Sequence, residues 1–265
     1  MNALSPRDVA DLQAAAAKLE GRSYAMTIAS KVGMPVEALL KMLPAKTQGA
    51  IGKAVTVALD RCLKIALTMG HSKAGSVRSR RTHTLATAVT GAAGGFFGLP
   101  GLVVELPVTT TVMLHSIAEI ARSQGEDLAS PESALACLEV FALGPEGVRG
   151  EAIESAYYAT RAALAQVTRD AAAYVAQKGL AKEGAPALVS FLSKIAARFG
   201  LEVSEKAAAQ LIPVVGAAGG LALNVLFTTH FQSLAEGHFT VRRLERAYGP
   251  ELIHHAYEQV RLKNR

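Results

Sequence analysis

The sequence predicts an all-α protein, a single multi-helix domain, on three observations. Half of the 265 residues are hydrophobic yet only 5% are aromatic, and 23 glycines accompany many alanines, a composition suited to closely packed helices. Proline and glycine fall where helices start and stop. No segment keeps the apolar/polar alternation of a half-buried strand. The length admits one large domain or two small ones without stapling. Cys62 and Cys137 form neither a CxxC pair nor a secreted-type framework, which suits small core residues in a reducing cytosol. The first twenty residues carry Arg7, Asp8, Asp11, Lys18 and Glu20 and no apolar run of signal-peptide length, so export is not expected.

Along the chain, Ser5-Pro6-Arg7-Asp8 supplies a cap, a first-turn proline and a first-turn acid, and Gly21 ends that helix. From 46 to 81 the bases Lys46, Lys53, Arg61, Lys64, Lys73, Arg78, Arg80 and Arg81 stand against Asp60 alone, more positive charge than the whole chain's +6. Two stretches without Asp, Glu, Lys or Arg follow, 82–104 and 207–235. Both exceed the roughly 20 residues a membrane span requires. Gly98-Leu99-Pro100-Gly101 should break the first, and Pro213 with Gly216 the second, which favours buried helices or shallow re-entrant hairpins.

Each stretch contains GAAGG, at 91–95 and 216–220, with GxxxG spacing that lets helices approach closely. Downstream, His115-Ser116-Ile117-Ala118-Glu119 resembles Gln232-Ser233-Leu234-Ala235-Glu236. The domain is therefore expected around two glycine-rich helical hairpins, a degenerate internal repeat packed glycine face to glycine face. Ser130-Pro131-Glu132-Ser133 opens a further helix that Gly144-Pro145 closes. Ile153, Tyr157, Thr160, Leu164, Val167, Ala171 and Tyr174 keep the 4-3 spacing of a long helix lying against others. Gly179, Gly200 and Gly249, the last followed by Pro250, stop later helices, for about ten in all.

GAAGGFFGLPGLVVELPVTT, then MLHSIAEIAR, GEDL, CLEVFALG, IPVVGAAGG and GHFTVRRLER occur in an order that resembles the EcsC family of bacterial proteins, over roughly 50 to 262. The resemblance implies relatives encoded beside an ABC transporter, membrane association, and no agreed activity or catalytic set. It divides the chain into a helical extension, 1–45, and an EcsC-like helical domain, 46–265.

Chemistry must then be sought residue by residue. Glu105, Val108, Val112, His115, Glu119 and Arg122 would share one helical stripe. Glu105, His115 and Glu119 are the candidate catalytic residues of an enzyme acting on lipid or with a metal. The plainer alternative has Glu105 held by a backbone donor or a basic side chain, and Glu119 paired with Arg122. Metal sites need more ligands than this stripe offers, and neither metal nor cofactor is expected. Glu251-Leu252-Ile253-His254 spells one ExxH without its partners. GxSxG, HExxH and a Walker loop do not occur.

A basic chain also suggests nucleic acid, but no recognition motif accompanies the bases and aromatics are scarce among them, so none is expected. A polybasic segment beside glycine-rich apolar segments suits an anionic leaflet, at about 1 kcal/mol per Lys or Arg near the surface. The expected function is therefore non-catalytic: a cytoplasmic protein, peripheral to the inner face of the cell membrane, binding anionic lipid or a membrane-protein partner in a transporter-associated accessory role. Its contacts would be Lys73, Arg78, Arg80, Arg81, Arg242 and Arg243 for the anionic surface, with Phe96, Phe97 and Leu99 as the apolar tip.

Overall fold

A computed structural model describes residues 4–21, 27, 29, 33, 35–70, 98–144, 155–179, 185–211 and 213–263. Among them the protein is helical throughout and holds no strand. The helices are α1 (Pro6–Leu19), α2 (Val36–Lys41), α3 (Ala45–Met69), α4 (Gly98–Ser123), α5 (Pro131–Glu139), continued by a short 3-10 turn Val140–Ala142, α6 (Ala156–Lys178), α7 (Pro186–Gln210), α8 (Pro213–Tyr248) and α9 (Pro250–Lys263).

The helix ends follow local chemistry. Ser5 caps α1 by accepting the Asp8 amide at 3.1 Å, with Pro6 preset for the first turn. Ser155 caps α6 in the same way through Tyr158. Gly249 turns the chain between α8 and α9 at φ 90°, which a side chain would strain. Ser130 precedes α5 as expected, but its hydroxyl makes no capping bond.

Two glycine stops differ from expectation. Gly200 lies inside α7, because Ile195, Phe199 and Val203 bury a continuous face on either side of it. That burial outweighs a helix-propensity cost of about 1 kcal/mol. Pro213 and Gly216 do not interrupt a helix either: Pro213 starts α8, where a missing N–H is harmless, and the helical backbone runs unbroken through 216–220. The GLPG break is likewise the first turn of α4. The second GAAGG is therefore part of one long helix rather than a hairpin, while the first lies outside the described residues.

The core centres on α8. Phe227 and Phe231 pack against Phe199 of α7, and Phe231 against Phe141 of the 3-10 turn, with ring centroids 5.0–6.1 Å apart across the cluster. α1 lies along α8 and buries Leu12, Ala15, Ala16 and Leu19. Gly237 permits that approach, since a Cβ there would stand 2.7 Å from Leu19 Cγ. On α6 the buried face runs Tyr157, Thr160, Leu164, Thr168, Ala171. It passes from Val167 to Thr168 because a straight helix drifts about 20° per heptad from a strict seam. Both cysteines are free and buried, and burial pushes each thiol up to about 12.

Three helices set the direction of the molecule. Arg122 of α4 donates to the Met69 carbonyl at the end of α3, and Thr111 lies beside Cys62, so α3 and α4 run parallel. Gln232 of α8 donates to Ser116 of α4 at 2.8 Å, which makes α4 and α8 parallel too, offset by 116 residues. That offset sets Pro213 level with the start of α4. The starts of α3, α4 and α8 thus gather at one pole.

Candidate functional site

Leading away from the pole where α3, α4 and α8 begin, the flank of α3 is basic, and α3 and α4 both expose valines. α3 exposes Lys46, Lys53, Arg61 and Lys64, the last 3.1 Å from Asp60. Val57 is 59% exposed at the level of Val104 and Val108 on α4, which are 78% and 43% exposed. Lys73, Arg78, Arg80, Arg81, Phe96 and Phe97 lie outside the described residues, and Leu99 is placed only by its backbone in the first turn of α4. Among the described residues no helix is long and apolar enough to cross a membrane.

Beneath this surface a polar seam joins α4, α7 and α8. Spacing of four brings Glu105 and Thr109 to one face of α4, and Asn224, Thr228 and Gln232 to one face of α8. Lys206 of α7 enters between them, 1% exposed. Its ammonium donates to Asn224 Oδ1 at 2.5 Å, lies 3.5 Å from Glu105 Oε1 and 4.9 Å from the centre of the Phe227 ring. Thr109 donates to the same Glu105 oxygen at 2.9 Å, while Glu105 Oε2 is buried with no hydrogen bond among the described residues. Burial lowers the Lys206 pKa, against which Glu105 pulls it up. Glu105 is thus partnered by a basic side chain. One turn earlier on α7, Glu202 faces His230 of α8 at 3.9 Å. Burial pushes Glu202 up to about 8 and His230 down to about 4.

The candidate triad does not converge. Glu105 turns inward to Lys206, whereas His115 is exposed and donates from Nδ1 to the Thr111 carbonyl at 2.8 Å. Glu119 sits half-buried one turn beyond. Among the described residues no group of three or more His, Cys, Asp or Glu side chains could hold a metal ion.

At the opposite end of α8 the arginines expected on a membrane are internal staples. Arg242 makes a forked pair with Glu126 of the α4–α5 turn at 2.9 and 3.1 Å, Ser133 donates to the same carboxylate at 2.7 Å, and Arg246 adds a third partner. Burial works to raise the Glu126 pKa, but Arg242, Ser133 and Arg246 together hold it down to about 2. Arg243 reaches Asp11 at 2.6 Å, Asp8 at 3.3 Å and Gln124 at 3.0 Å. The partners of both arginines lie 116 residues or more away in the chain, so no local spacing announces these pairs.

Beside this web a cavity of about 630 Å³ opens between α5, α6, α8 and α9. Arg161 of α6 donates to both oxygens of Glu245 at 2.6 and 3.0 Å and lies over the rings of Tyr157 and Tyr158. His254 packs on Tyr158 with centroids 4.1 Å apart. Glu139 ends α5 in the cavity wall, 8% exposed, and accepts from Thr168 through Oε1. Burial raises its pKa. Sequence reasoning passed over Glu139, although an acid inside the apolar run Cys137-Leu138-Glu139-Val140-Phe141 is itself a signal of a buried carboxyl.

With this geometry in place, comparison with known proteins gives one assignment. The EcsC protein family profile matches residues 7–244. The chain belongs to the EcsC protein family. The match takes in α1 as well as the helices around α8. No curated protein and no solved structure matches the chain. The EcsC fold in this chain is thus a parallel α3, α4 and α8 core, with a polar seam near one pole and a polar cavity near the other.

Proposed function

We propose that this EcsC protein is a peripheral membrane-binding helical protein without catalysis, which attaches to the anionic inner face of the cell membrane through the flank of α3 and α4 that leads away from the pole where α3, α4 and α8 begin. The observation that carries the reading is the row of exposed Lys46, Lys53 and Arg61 along α3, with exposed Val57 of α3 at the level of exposed Val104 and Val108 of α4, on the half of the molecule that holds the starts of both helices drawn from the charge-free stretches. Bases at the leaflet contribute about 1 kcal/mol each through long-range attraction, and partial burial of valines adds short-range affinity. Arg242 and Arg243 are not part of this surface, because their charges are met within the protein.

Cosedimentation with vesicles tests it. Binding is expected to vesicles containing phosphatidylglycerol at low salt, with release at high salt as the Debye length falls below about 10 Å. Lys46→Glu/Lys53→Glu/Arg61→Glu should lose binding, and Val104→Asp should weaken it without changing the melting temperature. Equal partition to neutral and anionic vesicles overturns the proposal.

A further inference from the structure

α6 and α7, neither of which supplies a residue to the proposed membrane surface, leave a groove of about 470 Å³ between them. Ala163 and Leu164 of α6 and Ala197 of α7 give it apolar walls, and no carboxylate lines it. Its polar residues fall into two groups. Thr160 is committed: its hydroxyl donates to the Ala156 carbonyl at 2.8 Å and accepts from Nη1 of Arg198 at 2.6 Å, which fixes that guanidinium at the edge of the groove. Ser190, Ser193 and Lys194 have no hydrogen bond or ion pair among the described residues. A helical serine either returns its hydroxyl to the carbonyl four residues back, as Ser204 does to Gly200 at 2.8 Å, or turns it outward. Ser190 and Ser193 turn theirs outward, on the face of α7 that carries Lys194. Lys194 and Arg198 stand four residues apart, about 6 Å along the helix, where like charges repel. Glu202, one turn past Arg198, is pushed up to about 8 by burial and carries little charge at neutral pH. On α6, Asp170 lies outside the lining and accepts from Gln166 at 2.8 Å.

We infer that the α6–α7 groove binds a phosphate ester, its phosphoryl group between Lys194 and the hydroxyls of Ser190 and Ser193 with Arg198 at the edge, and its carbon part along Ala163, Leu164 and Ala197. Each part of such a ligand meets its complement. The ammonium supplies charge, the two hydroxyls supply directed donors for the terminal oxygens, and the apolar walls cover the carbon part. A cation would meet Lys194 and Arg198 with no carboxylate in the lining, and a neutral ligand would leave the repulsion between those two side chains standing. An anion between them removes it. Glycerol 3-phosphate in solution and phosphatidic acid in a bilayer carry the same group, so both are sources for the site.

Titration calorimetry of the full chain with glycerol 3-phosphate tests the first source, and cosedimentation with phosphatidylcholine vesicles containing phosphatidic acid tests the second. Both use the parent and the Lys46→Glu/Lys53→Glu/Arg61→Glu chain, so that failure of the membrane reading is seen separately from failure of this one. One glycerol 3-phosphate per chain is expected at millimolar concentration or below, in both chains. Lys194→Met should weaken binding at least fivefold, and Ala197→Leu, which fills the groove without touching a charge, should abolish it. Lys194 and Ala197 are exposed, so both variants should melt with the parent. Lys178→Met, outside the groove, should bind as the parent does. Vesicle binding by the triple variant in place of the soluble ester, with the same response to Lys194→Met and Ala197→Leu, assigns the group to a lipid headgroup. Binding in neither arm, binding that survives both substitutions, or an equal loss with Lys178→Met, the mark of a general charge effect, would each overturn the inference.

Discussion

Near its start α8 meets one lysine and one carboxylate sealed from solvent, whereas near its end it carries three arginines into a web with Glu126, Asp8 and Asp11 at the rim of the molecule. Among the described residues Lys206 and Glu105 each have the other as charged partner, and Glu105 Oε2 has no hydrogen bond. In the web, Glu126 serves two arginines and a hydroxyl, and Arg243 serves two aspartates. The pKa directions record the difference: burial dominates at Lys206 and lowers it, while partners dominate at Glu126 and hold it near 2. Redundant pairing at a half-open edge stabilises the ionised form; a single contact in a dry interior does so incompletely.

The sharpest way to break this contrast is Lys206→Met. It strands the Glu105 carboxyl among buried side chains, and urea denaturation should show a loss of about 3–5 kcal/mol. A loss under about 1 kcal/mol would mean the pair is not the one holding the seam. Adding Glu105→Leu to Lys206→Met should recover most of that loss, because an apolar pair of similar volume needs no charge compensation.

Glu126→Gln should be milder, about 1–3 kcal/mol, since Ser133 and one arginine contact can persist on the amide. It also has a pH signature. The folded carboxyl titrates near 2 against an ordinary value of 4.5, so its stabilisation is complete above pH 4.5 and disappears as pH falls toward 2. The parent should lose stability across that window more steeply than the Gln variant, by thermal melts at each pH. Parallel acid slopes would remove Glu126 as the source. Smallest of all, Lys64→Ala should change stability by less than about 0.5 kcal/mol, because the Lys64–Asp60 pair is half exposed on the outer face of α3.

Much of the helical punctuation could be read from local residues. Ser5-Pro6 and Gly249-Pro250 act through their own backbone, so neighbours in sequence suffice. Gly200 and Pro213 were misread because the same residue types carry opposite meanings at a helix centre, at its first turn and beyond its end, and only tertiary burial selects between them. The likeness of His115–Glu119 to Gln232–Glu236, 117 residues apart, has a counterpart in space, where Ser116 and Gln232 hydrogen bond between parallel helices. The seam itself was half legible. Glu105 stood out as an acid beside an apolar stretch, but Lys206 and Asn224 are ordinary residues until α7 and α8 bring them to it. The cavity depends on four helices and leaves no spacing pattern in any of them.

The position of α8 in the chain imposes an order on synthesis. α1 buries Leu12 and Leu19 against it, Asp8 waits for Arg243, and Glu126 for Arg242, with separations of 235 and 116 residues. At about 5 to 20 residues per second, the ribosome takes roughly 10 to 40 s to make the stretch between α1 and α8. During that interval α4 and α7 can already pack on α3, whereas the face of α1 that carries Leu12 and Leu19 stays without its permanent cover until α8 arrives.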